Sequence, residues 1–478
     1  MKTRSIARAA MPAFVLMAIT AGTLSAQRPE AGSAAAGYAV VNATAGVAAL
    51  TGVTLLDGTG TPARRGQTVV ISGTRIAAVG PDGSVDIPDG AEVMDMAGHT
   101  VMPGMIGLHN HLFYTAAGGR SAQLTYSAPR LYLGSGVTSV RTTGSRQPYA
   151  ELNLRAEIEA GRTPGPRIHI TAPYVTAGGG ISGMTMLESP EQARRFVRYW
   201  AAEGATWLKA YTNIRTEELS AAIDEAHQQG IKVTGHLCSI SFTEAVALGI
   251  DNIEHGLATN SDYSEGRGQD ECPSNLWDDA VAVDVNGPEA QATFQAMIDA
   301  GVAMTSTLAV YELFIQGRPT RDARSLEAMS PAVREDYLAA KAQIDEIGRA
   351  EDEFLTAMAY EKAFYDAGGL LASGVDPTGN GGALPGYGDQ RNFELLSEAG
   401  FAPHEVVQVL SANGARVLDV FEDLGTVEAG KIADLVVMSG DLTADPSVIR
   451  NVTVVFKDGV GYDSSRMLAD VRGRVGIN

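Results

Sequence analysis

His109 and His111 are separated by one residue and end an apolar run, VMPGMIGLHNH (101–111). In a β-strand, residues i and i+2 point to the same side, so two histidines with this spacing can bind one metal ion together. The same pair is also common as two surface histidines, and the motif alone does not decide between these interpretations. The prediction of a metal site becomes specific only if other residues that can bind a metal ion lie close to this pair.

Four further residues of this kind stand at or near the ends of short apolar runs. They are Lys209 in TWLKAY, His236 in KVTGHL, His255 in NIEHG and Asp376 in LLASGVD. Four of the eight histidines of the chain therefore occupy such positions. Lys209 is unusual because a lysine is costly to bury as a cation. It is therefore paired with an acid, extended towards solvent, or chemically modified.

The elements that position these residues alternate in type between residues 101 and 418. Eight apolar runs of strand length are separated by stretches with helical periodicity, and a long helical insertion at 318–362 precedes the eighth run. This alternation favours a parallel sheet, and eight units predict an α/β fold of the (β/α)8 TIM barrel type. The chemistry of such barrels lies at the C-terminal ends of the strands, where the six residues stand.

The two chain ends have a different texture. Residues 49–100 and 419–478 contain short runs of alternating Val, Ile and Thr between turn residues, which predicts a small β-sandwich domain built from both ends. Residues 27–48 are rich in Ala, Gly and Ser and are predicted to be a tail or linker. Residues 1–26 combine a basic start, an apolar stretch and small residues, the pattern of a secretory signal peptide. We therefore expect an exported protein, periplasmic or secreted.

Composition excludes some functions. The net charge of −20 argues against nucleic acid, which needs a basic surface. Beyond the signal peptide no apolar run reaches the roughly 18 residues of a transmembrane helix, so membrane insertion is not expected. Cys238 and Cys272 can pair in an oxidising compartment, and the sequence leaves their pairing open. We expect a small-molecule substrate and a homo-oligomer.

Several motifs together resemble the metal-dependent amidohydrolase superfamily, most closely its imidazolonepropionase-like and prolidase-like branch. They are PGMIGLHNH, WLKAYT, VTGHL, IEHG and SGVD, with SANGARVL and LGTVEAGKIADLVVM near the C-terminus. The resemblance covers residues 49–462.

The resemblance implies a binuclear metal site. His109, His111 and Asp376 would bind the more buried ion, and His236 and His255 the more exposed one. Lys209, carboxylated by carbon dioxide, would bridge the two as an oxygen ligand. Nitrogen and oxygen ligands with open coordination positions make zinc the expected metal.

The implied reaction is the hydrolysis of an amide bond in a dipeptide, an N-acyl amino acid or a related amide. A metal-bridging hydroxide would attack the carbonyl, and Asp376 would carry the proton to the leaving amine. The same chemistry would cleave a lactone or another ester. A mononuclear deaminase fits less well, because HLCSIS after the fifth run lacks the glutamate that such enzymes use. A non-catalytic relative would usually have lost ligands, and all six are present.

The substrate contacts depart from the family pattern. Gly107 stands where the family usually has Asp, and the stretch TAGGGISG (176–183) lacks the histidine that relatives often carry there. Tyr211 is a candidate substrate contact or a barrel-wall aromatic. Arg141 is a candidate carboxylate ligand or part of a structural ion pair. Tyr387 is the aromatic residue of the glycine-rich loop that follows Asp376.

Overall fold

The structure is a computed structural model that describes residues 29–116, 120–178, 183–318, 322–378 and 382–477. The predicted signal peptide, residues 1–26, lies outside the described residues. Within the described ranges, no helix combines the length and the apolar character needed to cross a membrane.

The strands are short, and most are separated from the next by a helix or a turn. In chain order they are β1 (Ala39–Asn42), β2 (Val47–Leu55), β3 (Arg64–Ser72), β4 (Arg75–Pro81), β5 (Glu92–Asp95), β6 (His99–Pro103), β7 (Met105–Asn110), β8 (Phe113–Ala116), β9 (Arg120–Gln123), β10 (Val137–Thr142), β11 (Arg167–His169), β12 (Thr171–Thr176), β13 (Thr185–Met186), β14 (Trp207–Ala210), β15 (Lys232–Gly235), β16 (Asn252–Glu254), β17 (Ala303–Ser306), β18 (Leu371–Ser373), β19 (Leu435–Ser439), β20 (Val452–Lys457) and β21 (Val460–Asp463).

The helices lie mainly between the strands of the central region. They are α1 (Ser127–Gly134), α2 (Pro148–Glu159), α3 (Pro190–Ala202), α4 (Thr216–Gln228), α5 (Phe242–Leu248), α6 (Leu276–Val281), α7 (Pro288–Ala300), α8 (Leu308–Tyr311), α9 (Ala323–Ala328), α10 (Pro331–Ile347), α11 (Glu351–Asp366), α12 (Tyr387–Glu398), α13 (Pro403–Leu410), α14 (Ala412–Val417) and α15 (Ser464–Ala469). The insertion expected at 318–362 corresponds to α9, α10 and most of α11.

The two chain ends share one sheet. Its order is β1-β21-β20-β19-β6-β2-β3-β4, with β5 also paired to β2, so strands from both ends are hydrogen-bonded through β6 and β19. Apolar side chains from both parts, including Leu50, Ile71, Leu435 and Phe456, pack in one core. Strands from both chain ends therefore belong to one continuous hydrogen-bonded sheet.

The segment expected to be a tail joins this sheet. β1 pairs antiparallel with β21, and β2 begins at Val47, so residues 39–48 are tied to the sheet rather than forming a free linker. Val41 of β1 is buried in the core of the sheet. Because this segment is rich in alanine and glycine, its composition does not predict β1, a strand of only four residues.

In the central region, β8 and β9 form an antiparallel pair, and the remaining strands from β7 to β18 are parallel to their neighbours. One sheet has the order β11-β10-β7, and another has the order β13-β12-β14-β15-β16-β17-β18. Parallel pairing of strands separated by helices places the C-terminal ends of the strands along one edge. The chain therefore has the mixed α/β fold with a parallel sheet that the sequence predicts.

Backbone contacts join the two parallel sheets at two places. Val375 and Asp376, just beyond β18, donate their N–H groups to the carbonyl of His109 in β7 at 2.9 and 2.7 Å. Ser145, beyond β10, forms a parallel bridge with Pro173 of β12. The last strand is therefore tied to the first at the level of the histidine pair.

A helix cap and a disulfide constrain the loops that follow β15 and β16. Ser241 caps α5 and Glu244 returns the hydrogen bond, a capping box that starts this helix just after the loop carrying His236. Cys238 and Cys272 form a disulfide, which ties this loop to the segment that follows β16.

Candidate metal centre

The six residues singled out in the sequence converge at one edge of the parallel strands. His109 lies in β7 and Lys209 in β14, while His111, His236, His255 and Asp376 follow the ends of β7, β15, β16 and β18. Five of them line a common pocket, and the sixth, His255, packs behind His109 and His236.

His109, His111 and Asp376 form one group whose ligand atoms all lie within 4.8 Å of one another. His111 Nε2 is 3.0 Å from Asp376 Oδ1, and His109 Nε2 is 3.6 Å from the same oxygen. Asp376 adopts a left-handed backbone conformation, with φ of 52°, which is uncommon for a residue other than glycine. This local strain turns its carboxylate towards the two imidazoles and accords with a functional site.

His236, His255 and Lys209 form the other half of the site. The ring of His255 lies 4.4 Å, centroid to centroid, from the rings of both His109 and His236. Its Nδ1 lies 2.8 Å from the hydroxyl of Thr307, which leaves Nε2 directed to the centre of the group. Like Asp376, His255 has a positive φ, of 72°.

Two buried nitrogen atoms in this half have no hydrogen-bond partner in the described part of the chain. They are Nε2 of His255 and Nζ of Lys209. The nearest carboxylate oxygen to Lys209 is Oε1 of Glu254 at 3.9 Å, beyond hydrogen-bond distance. Buried polar atoms are normally paired, and unpaired ones in native proteins often mark a bound ion or a modification. The donor set and these two atoms therefore fit a metal centre.

Burial sets the protonation of the ligands. Burial, and secondly the charge of Lys209, lowers the pKa of His109 to about 4 and that of His236 to about 3. Both imidazoles are therefore neutral near pH 7, as metal ligands must be. Burial also lowers the pKa of the Lys209 amine to about 8.

Glu254 is a buried part of the site that the sequence analysis missed. Its Oε2 lies 2.8 Å from Nδ1 of His109, while Arg141 donates to its Oε1 at 2.5 Å and the hydroxyl of Thr234 also donates to Oε1. Burial would raise the pKa of Glu254, but the charges of Lys209 and Arg141 dominate and hold it well below its usual range. The carboxylate thus orients His109 so that Nε2 faces the pocket. The only feature of the sequence that indicates this role of Glu254 is its position directly before the predicted ligand in NIEHG.

The Glu254–Arg141 pair gives a stability prediction. Glu254→Gln leaves the fully buried Arg141 without its counter-charge, so we expect the free energy of unfolding to fall by about 3–5 kcal/mol. The double variant Glu254→Gln/Arg141→Met removes both charges. Its loss in the free energy of unfolding, measured by urea unfolding, should be smaller than the sum of the losses in the two single variants. Additive losses would show that the pair is not coupled.

Two of the three predicted substrate contacts lie away from the pocket. Arg141 is fully buried and donates to Glu254 and, at 2.7 Å, to the carbonyl of Leu108, so it forms the structural ion pair and cannot reach a substrate. Tyr387 begins α12 and lines a separate cavity, with the guanidinium of Arg324 4.6 Å from its ring centroid. Tyr387 and Asp376 therefore line different cavities.

Tyr211 does line the pocket, with Tyr174, Phe113 and Arg146. Its ring lies 4.6 Å from that of His236 and 5.5 Å from that of Tyr174. The hydroxyl of Tyr174 lies 3.4 Å from the ring nitrogens of His111. The aromatic wall therefore reaches both histidine groups.

Gly107 has a structural explanation. A Cβ atom at this position would lie 1.9 Å from Nδ2 of Asn110 and 3.0 Å from Oδ1 of Asp389. Asn110 donates to Asp389 at 3.1 Å. The space that a side chain at 107 would need is filled by this pair, so a buried carboxylate stands near this place even though the residue is glycine.

Comparison with known proteins agrees with this geometry. A model of the amidohydrolase family matches residues 100–271 and 372–461. A putative prolidase from Bifidobacterium longum is 26% identical, with a TM-score of 0.62, over 89% of this chain and 98% of that one. A Xaa-Pro dipeptidase with bound methionine is 21% identical, with a TM-score of 0.64, over 87% and 100% of the two chains. A bottromycin amidohydrolase is 20% identical, with a TM-score of 0.66, over 89% and 90%. No curated protein matches the chain.

Proposed function

Because the chain belongs to the amidohydrolase family, we propose that it hydrolyses amide bonds in small molecules such as dipeptides and N-acyl amino acids, using two divalent metal ions. The observation that carries the proposal is the convergence of His109, His111 and Asp376 with His236, His255 and Lys209 at one pocket. The prolidase and the Xaa-Pro dipeptidase among the structural relatives support a substrate of peptide character.

The two halves of the site would each hold one ion. His109, His111 and Asp376 offer two imidazole nitrogens and a carboxylate, and His236 and His255 offer two further imidazoles. Lys209, carboxylated by carbon dioxide, would join the halves as an oxygen ligand. Its buried Nζ without a hydrogen-bond partner among the described residues supports this modification. Nitrogen and oxygen ligands favour zinc.

When bound, the ions would supply a nucleophilic water near neutral pH and polarise the amide carbonyl. The protein supplies the proton transfer. Asp376 faces the pocket with its side chain 16% exposed, and the hydroxyl of Thr378 donates to its Oδ1 at 3.2 Å. We assign to its carboxylate the acceptance of a proton from the attacking water and the delivery of that proton to the amide nitrogen.

Further residues position the substrate and exclude water. Tyr174 and Tyr211 place two hydroxyl donors on the pocket wall, and Phe113 adds an apolar face. We further propose that eight of the parallel strands, β7, β10, β12, β14, β15, β16, β17 and β18, close into a barrel. The contacts that join β18 to β7, and the bridge between Ser145 beyond β10 and Pro173 of β12, support closure. A closed barrel would hold all six ligands on one rim.

The function is tested with a library of dipeptides, N-acyl amino acids and lactones. We expect hydrolysis of at least one amide class, loss of that activity after removal of metal by a chelator, and recovery when zinc is returned. Circular dichroism of the chelated protein checks that the fold persists. Cleavage of lactones alone would replace the amide assignment with an ester one, and activity that survives complete metal removal would contradict the proposal.

A further inference from the structure

Arg146 lies at the same pocket as the metal-ligand residues but outside the ligand set. It follows the end of β10 by four residues and is half-buried among the residues that line the pocket. The guanidinium carbon lies 5.0 Å from the ring centroid of Phe113, a cation–π contact that holds it against the pocket wall. Among the residues lining this pocket, it is the one cationic side chain apart from Lys209.

The guanidinium of Arg146 has no carboxylate partner in the described part of the chain. Acids outnumber cations in this protein, which has 56 acidic and 36 basic residues. The arginines that line the separate cavity beside Tyr387 illustrate the contrast, because each is paired with an acid: Arg324 with Asp322, Arg391 with Glu312, and Arg450 with Glu394. Arg146 therefore keeps all of its donors available to a molecule in the pocket.

Arg146 lines the same pocket as Tyr174 and Tyr211. The hydroxyl of Tyr174 lies beside the ring of His111, and the ring of Tyr211 lies beside that of His236. The cation and the two tyrosines therefore face the same space next to the predicted metal ligands.

We propose that Arg146 is the residue that selects the substrate, by binding a free carboxylate of the amide that is cleaved. The planar fork of a guanidinium matches a carboxylate with two parallel hydrogen bonds, and contact with the aromatic face fixes its orientation. In dipeptides and N-acyl amino acids the carboxylate lies on the amine side of the scissile bond. The enzyme would therefore release a free amino acid from the carboxyl end. This inference rests on the proposed amide hydrolysis.

Substitutions of Arg146 separate this role from catalysis. The substrates are pairs of N-acetyl-L-amino acids and their C-terminal primary amides, which differ in the carboxylate alone. Arg146→Met should lower kcat/KM for the acids by about 10- to 100-fold, mainly through a higher KM, and leave the primary amides unchanged. Arg146→Lys keeps the positive charge but not the planar fork. Its kcat/KM for the acids should therefore lie between the values of the wild type and of Arg146→Met. Arg195→Met removes an exposed arginine from α3, where it pairs with Glu191, and should leave both classes unchanged.

The outcomes distinguish this inference from the proposed function. If the wild type cleaves amides and Arg146→Met affects acids and primary amides equally, the carboxylate role is wrong and the hydrolase assignment stands. If the wild type cleaves no amide, the hydrolase assignment fails. Calorimetric binding of the same paired compounds to the metal-loaded wild type and to Arg146→Met then tests the carboxylate role. Equal binding of acid and primary amide to the wild type would overturn it.

Discussion

Asp376→Asn is expected to lower kcat/KM for the best amide substrate by about 1,000-fold while the fold and the metal content persist. Asparagine has the same shape and keeps an oxygen that can serve as a ligand, but it cannot accept the proton from the attacking water. The left-handed backbone at Asp376 tolerates asparagine, so the position need not be distorted. Steady-state kinetics together with the metal content of the same preparation measure this effect.

Asp251→Asn is the matched control. Asp251 also contacts a histidine, since its Oδ2 lies 3.0 Å from Nε2 of His227, but it precedes β16 and so lies at the opposite ends of the strands. We expect unchanged kinetics for this variant. Full activity in Asp376→Asn would remove the proton-transfer role, and loss of metal from that variant would make Asp376 primarily a ligand.

Lys209→Ala is expected to lower the metal content from two ions to one per chain and kcat/KM by about 1,000-fold. The physical reason is the loss of the oxygen bridge between the two histidine groups. Alanine also leaves a space where the lysine stood, so added acetate can supply a carboxylate in place of the carbamate. Activity and metal content should therefore recover as the acetate concentration rises.

Lys341→Ala is the control for a buried lysine. Lys341 is as buried as Lys209, but it lies in α10 and pairs with Asp345. This variant should keep two metal ions per chain even if its stability falls. Two ions per chain in Lys209→Ala would show that the lysine does not bridge them.

The sequence was sufficient to predict which six residues come together, because each stands at or near the end of a short apolar run. Parallel strands end at one edge, so residues such as His109, His236 and Asp376 meet even though they are far apart in the chain. The family that the motifs indicated is confirmed by the match to the amidohydrolase model. The division into domains and the closure of the barrel remain predictions.

The residues around the ligands were harder to predict, because their roles depend on contacts between distant elements. Glu254 contacts His109 although β16 and β7 belong to different hydrogen-bonded sheets. Arg141 is satisfied by that same carboxylate and is therefore unavailable to a substrate. Arg146, only five positions later, faces the pocket. No pattern within the segment 141–146 distinguishes these two arginines.

The surroundings of Gly107 could not be predicted from the sequence either. The sequence shows that the expected acid is absent at this position. It does not show that Asp389, from α12, lies close to Gly107. Likewise, the short strand β1 is stabilised by its pairing with β21 near the other end of the chain. Long-range pairing of this kind is not encoded in local composition.

The central claim is that the six residues at the strand ends hold two metal ions. Its most direct test is the metal-to-protein ratio of the wild-type chain, measured by inductively coupled plasma mass spectrometry after dialysis against metal-free buffer. We expect two divalent ions per chain, with zinc preferred when several metals are offered. A ratio of one or none, in protein that hydrolyses its amide substrate at full rate, would contradict it.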